Sequence, residues 1–202
     1  MRFLFHIFLL ALLLPSCFQE EEIVPPHEQG DLEEGQVGLG TTYERQVYYD
    51  LLANIEEESH LISAYDLSFE SSTGGWIIRL NSAKFMLAGN SMDTVFSKDL
   101  NASDLDMIFD KSDGNPDSTA IGPWFELGDE SAESFRYIYL IDRGKNENNK
   151  PMGLRKVQFD ISGDDYIMRY SNTDNSHDTV VIISKIQTWT RSTFPLILDL
   201  RR

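Results

Sequence analysis

Few side chains in this 202-residue chain can act as a soft-metal ligand or as a thiol or imidazole catalyst: one Cys, six Met and four His. A lone cysteine, Cys17, cannot close an intramolecular disulfide, so its thiol is kept for another purpose. The histidines are His6, His27, His60 and His177, and none has a second His or a Cys at metal spacing. They read as solvated loop residues, although folding could bring His60 and His177 together. Met86, Met92 and Met107 fall in an irregular stretch, 81–133, where a thioether either plugs a gap in the core or serves as a soft ligand. Asp110-x-x-Asp113-Gly114-Asn115-x-Asp117 has the look of a calcium loop. It lacks the Asp-x-Asp-x-Asp-Gly spacing, and Ile121 stands where the bidentate Glu belongs. A solvated acidic turn is the better reading. No Gly-x-Ser-x-Gly, phosphate loop or His-Glu-x-x-His occurs, and in so acidic a chain any pair of carboxylates can be picked out. The expectation is a protein that is not an enzyme.

Cys17 gains its meaning from its neighbours. Arg2 precedes an apolar run from Phe3 to Leu14, then Leu14-Pro15-Ser16-Cys17 closes it and Phe18-Gln19-Glu20-Glu21-Glu22 follows. The run suits a secretory h-region and is short for a membrane span. A leader that stops at Cys resembles the bacterial lipoprotein signal, in which that cysteine is lipidated and becomes the first residue. The acidic run behind it resembles the export signal of surface lipoproteins in Bacteroidetes-type Gram-negative bacteria. This predicts an outer-membrane protein, anchored in lipid through Cys17 and facing the cell surface. Asp93-Thr94-Val95, Asp117-Ser118-Thr119 and Asp178-Thr179-Val180 match the short pattern O-glycosylated in such bacteria, which makes Thr94, Ser118 and Thr179 candidate acceptors.

Charge narrows the partners. With 17 Lys+Arg against 33 Asp+Glu the net charge is −16, which excludes nucleic-acid binding by phosphate neutralisation and attachment to an anionic leaflet by charge. Attachment to a membrane must come from the lipid.

The elements that hold these residues are short. Glu, Pro and Gly dominate 18–40, as in a solvated tether. From Tyr43 onward aromatic and β-branched runs alternate with Gly and Asn clusters: 46–51, 64–69, 76–80, 135–141, 153–161, 165–170 and 179–183. Residues 104–109 could form a helical turn capped by Ser103. No amphipathic period sustains a long helix. The expected fold is all-β, a predominantly antiparallel sandwich or open barrel with short helical turns, behind a lipoprotein signal and flexible tether.

The order of segments resembles the HmuY family of haem-binding surface lipoproteins. The resemblance rests on Val47-Tyr48-Tyr49-Asp50-Leu51, Tyr65-Asp66-Leu67-Ser68-Phe69, Ile78-Arg79-Leu80-Asn81-Ser82 and Gly122-Pro123-Trp124-Phe125. It closes with Tyr137-Ile138-Tyr139-Leu140-Ile141-Asp142-Arg143-Gly144 and Leu154-Arg155-Lys156-Val157-Gln158-Phe159. It covers about residues 43–183. It implies a domain that captures haem as cofactor or cargo and passes it to a TonB-type outer-membrane receptor. The paired axial histidines of the best-known members are absent, since 81–133 hold none and an acid stands shortly after Trp124, about where the resemblance would place one of them. The implied ligands therefore become two of Met86, Met92 and Met107. A displayed structural or interaction module, using the same fold for a protein or glycan partner, is the alternative.

The resulting division is a signal peptide at 1–16, lipidated Cys17 with an acidic tether at 17–42, and an HmuY-like β domain at 43–185. A C-terminal segment at 186–202 reads either as a closing strand with Pro195 at its edge or as a truncated end.

Overall fold

Period-two alternation of apolar and polar residues builds the domain. A computed structural model describes residues 34–39, 42–113, 115–129, 131–185 and, as backbone, 196–198. The chain divides at Glu34/Gly35, and the fold is that of the second unit, Gly35–Arg202. Cys17 and the signal peptide lie outside the described residues, as does most of the tether and of the C-terminal segment.

Twelve strands occur among the described residues: β1 (Arg45–Asp50), β2 (Ile55–Leu61), β3 (Leu67–Phe69), β4 (Ile78–Leu80), β5 (Leu87–Asn90), β6 (Phe125–Leu127), β7 (Ala132–Ser134), β8 (Ile138–Asp142), β9 (Leu154–Ser162), β10 (Asp165–Ser171), β11 (Thr179–Ile183) and β12 (Leu196–Leu198). Every named pairing is antiparallel. The main sheet runs β11-β10-β9-β8-β5, a second runs β12-β3-β4, and β1-β2 and β6-β7 are hairpins. The expected all-β, predominantly antiparallel fold holds, and the described sheets do not close into a barrel.

The two larger sheets pack through their inner faces. Phe69 on β3 meets Tyr166 on β10 edge-on, with centroids 5.0 Å apart, and Phe159 on β9 at 6.3 Å. Trp76 lies 4.8 Å from Tyr166, and Trp124 lies 5.7 Å from Phe159. All five rings are buried. Such pairs each add about 0.5–1.5 kcal/mol beyond the area they remove from water. The buried polar ends are satisfied: Tyr166 Oη donates to Glu70 O at 2.9 Å and Trp124 Nε1 to Trp76 O at 2.7 Å.

Two local expectations are corrected and one strand is added. The helical turn near 104–109 is a 3-10 turn at Ala102–Asp104, capped by the Asn101 side chain instead of Ser103. The residues after it are extended, and Ile108 bridges Ala88, covering the β5 edge of the main sheet. The acidic Glu56-Glu57-Glu58 run is strand β2, because its partner β1 holds it in register from Arg45↔Leu61 to Asp50↔Ile55. Asp110 is no solvated turn residue. Its carboxylate accepts from Leu80 N at 2.8 Å and Ala120 N at 2.6 Å, tying the 110–120 loop to β4. Burial holds that carboxyl above its ordinary range.

A cluster of charge is sealed at the β3–β4 end of the sandwich. Asp66 accepts from Lys84 Nζ on one oxygen and from Arg143 Nε, at 3.1 Å, on the other. All three side chains are buried. Beside them Asn81 caps the 3-10 turn Ser82–Lys84 through Ala83 N and donates to Ile62 O and Tyr65 O. The next residue, Phe85, takes φ 58° and ψ 43°. A left-handed backbone costs a bulky side chain about 1–2 kcal/mol.

Candidate functional site

The fold separates the three candidate methionines, none of which lies within a strand. Met86 joins Ala88 in the core, with 1 % of its surface exposed. Met107 packs on the other side of β5, where its sulfur fills the space that a Cβ of Gly89 would need. Met92 sits on a left-handed turn (φ 56°), 65 % exposed. A ligand reaching Met92 or Met107 from solvent does not meet Met86 without opening the core. Met86, sealed in the core, is therefore no axial partner for Met92 or Met107 in this fold. Met107, Ile108 and Phe109 do line an apolar groove of about 660 Å³.

His60, on β2, is half-buried against the rings of Tyr48 and Tyr65, with Nδ1 3.3 Å from Glu58 Oε1. His177 lies in the exposed β10–β11 turn with φ 56°. No group of three or more His, Cys, Asp or Glu able to hold a metal ion occurs among the described residues. Of the candidate glycosylation acceptors Thr94 is exposed in a loop, while Ser118 ends a 3-10 turn and Thr179 opens β11, both half-buried.

The surface with the clearest chemistry is the outer face of the main sheet, which the sequence reading passed over. Residues of β9, β10 and β11 that do not enter the core meet there in register. Ile182, Ile167 and Asp160 form one row, and Val180, Arg169 and Gln158 the next. Ile182 and Val180 are 67 % and 59 % exposed. These rows border a groove of about 420 Å³, to which Arg136 and Asp178 also contribute.

Its charged groups are held in place. Arg169 grips Asp178 with both arms, Nε to Oδ1 at 2.8 Å and Nη2 to Oδ2 at 2.5 Å, and lies 4.2 Å from the centre of the Phe96 ring. That pairing holds the Asp178 carboxyl below its ordinary range. Arg136 stands 3.3 Å from Asp160. Gln158 Nε2 donates to Arg136 O at 2.6 Å and Thr94 O at 3.2 Å, fixing the loops that wall the groove. Exposed ion pairs add at most about 1 kcal/mol to stability, so their ordering serves the shape of the face more than the fold.

Comparison of the chain with family models, with curated proteins and with solved structures found no match.

Proposed function

We propose that this chain is a lipid-anchored, surface-displayed β domain of the HmuY-like type that works by binding, not by catalysis, and whose ligand is a protein. The observation carrying the protein partner is the aliphatic patch of exposed Val180 and Ile182 beside half-buried Ile167, framed by the Arg136–Asp160 and Arg169–Asp178 pairs. Apolar centres rimmed by charge, with Arg prominent, are the anatomy of protein contact surfaces. The face presents no exposed aromatic ring on which a sugar could stack. Display rests on the leader that ends at Cys17 and the acidic run behind it.

A photo-crosslinking residue at Val180 in intact cells is expected to give one discrete protein adduct. Ile182→Glu should abolish it while leaving the melting temperature nearly unchanged, since surface substitutions cost within about 0.5 kcal/mol. Cys17→Ser should release the chain from the membrane fraction and lose the adduct. Equal labelling with and without Ile182→Glu would sink the proposal for this face.

Haem is the ligand the resemblance implies, and the scattered thioethers lend it little. Hemin titrated into the full chain is expected to show only the spectrum of free hemin. A shifted Soret band that disappears in Met92→Ala or Met107→Ala would restore haem and displace the protein ligand.

A further inference from the structure

Phe85 is in the wrong conformation for its size and in the wrong place for its hydrophobicity. Its backbone is left-handed, which glycine or asparagine adopts with little strain, and its ring is 60 % exposed, so burial returns little of that strain. The neighbouring structure leaves it no alternative. Phe85 N donates to Ser82 O at 3.0 Å, and Lys84 O accepts from Lys145 N at 2.9 Å. The Lys84 side chain is locked in the buried cluster with Asp66, and Gly144 lies so close beneath that a Cβ there would collide with the Lys84 carbonyl. A fold that needed only this turn would be served as well by glycine. An aromatic ring held rigidly outward, at a cost in strain, is a feature of ligand sites.

What surrounds it names the ligand. Tyr43, also mostly exposed, has its ring centre 6.3 Å from that of Phe85 at an interplanar angle of 42°, so the two rings form an open platform. Tyr43 continues into a groove of about 410 Å³ whose polar lining includes Thr42, Arg45, Gln46, Tyr48 and Ser82. Most of these groups are uncharged hydroxyls and an amide, able both to donate and to accept. One arm of the Arg45 guanidinium meets Ser59 Oγ at 2.5 Å, Gln46 Nε2 donates to Asn81 Oδ1 at 3.2 Å, and the Tyr48 and Tyr65 hydroxyls lie 3.3 Å apart, which leaves each of the three groups further hydrogen-bonding capacity. Exposed aromatic faces beside neutral two-way hydrogen-bonding groups complement a pyranose ring, which offers a face of C–H groups and a rim of hydroxyls. The net charge of −16 opposes anionic ligands.

We infer that Tyr43 and Phe85 form a binding site for a neutral saccharide, with Gln46, Tyr48 and Ser82 as candidate hydrogen-bonding partners for its hydroxyls. This site lies on the β1 hairpin and the 82–85 turn, away from the strands of the outer-face groove, and does not depend on the protein-partner proposal.

The test is saturation-transfer NMR and calorimetry on the full chain with neutral trisaccharides: maltotriose, cellotriose, xylotriose, mannotriose and chitotriose. At least one should receive saturation through its ring C–H protons. Phe85→Gly should weaken its binding by about tenfold or more, as should Tyr43→Ala, which corresponds to about 1.4 kcal/mol or more. The melting temperature of Phe85→Gly should stay the same or rise, because a strained residue is relieved. Ile182→Glu should leave saccharide binding intact, which separates this site from the outer face. Absence of binding across the panel would overturn the inference. So would unchanged affinity in Phe85→Gly, or a melting temperature several degrees lower that marks Phe85 as a structural residue.

Discussion

Asp66→Ala is expected to destabilise the domain by about 3–5 kcal/mol, the cost of breaking a buried ion pair by removing one partner. The carboxylate is fully buried and takes Lys84 on one oxygen and Arg143 on the other. Without it two buried cations remain close together. Arg155 adds to that repulsion: desolvation first, then the charge of Arg143, holds its guanidinium below the ordinary range, and Asp66 opposes the shift. Lys84→Met should cost clearly less, because it leaves Asp66 and Arg143 as a pair of matched charge. Urea denaturation of the three proteins measures this ordering. A midpoint for Asp66→Ala within error of the parent would show that the cluster is not a structural clamp. The same cluster anchors Lys84, the residue before Phe85. Asp66→Ala protein that still folds should therefore also bind saccharide more weakly than its melting curve alone explains.

Trp124→Ala is expected to cost about 3–5 kcal/mol as well, by cavity formation. The indole is 2 % exposed and touches the rings of Trp76, Phe125, Phe159 and Tyr166. Its Nε1 also satisfies the Trp76 carbonyl. Near-UV circular dichroism should lose much of its aromatic signal, since the ring holds its neighbours in asymmetric contact. Trp124→Phe should fall between parent and alanine, keeping apolar volume while losing that hydrogen bond. Calorimetric or denaturant unfolding decides. A cost below about 1 kcal/mol would mean that Trp124 lines an open slot, the arrangement a haem carrier requires, instead of closing a packed core.

How much was legible follows from what each residue responds to. Strands β8 to β11 were readable because both determinants are local: alternation along each run, and turn residues between runs. Strand β2 was not, because three consecutive glutamates break any apolar–polar alternation and only pairing with β1 holds them extended. Asp66 and Arg143 were in view as parts of the segments that carry the family resemblance, but their partnership spans 77 positions and has no local mark. Asp110 looked like a solvated acid because its two amide donors come from residues 30 and 10 positions away. Phe85 carried no signal at all, since only a backbone angle reveals it.

The methionines teach the same lesson from the other side. Their side chains could be named from sequence, and their ligand role could be posed, but none of the three lies on a strand, so no local period fixes which way each side chain turns. Met86 fell inside and Met107 outside, and no inspection of spacing could have decided that.

By itself, the sequence determined the class of this protein: all-β, acidic, rich in short antiparallel strands, with a lone cysteine placed after an apolar run. Those properties depend on composition and on neighbours within a few residues. Only the tertiary structure decided where chemistry can occur, because a binding surface is made of side chains that the sheets bring together from distant positions. The outer-face row joins residues of β9, β10 and β11, and the Tyr43–Phe85 platform joins two segments 42 positions apart through a turn locked by Gly144 and Asp66. Proximity of that kind is set by packing, and packing is not written in any local stretch of the chain.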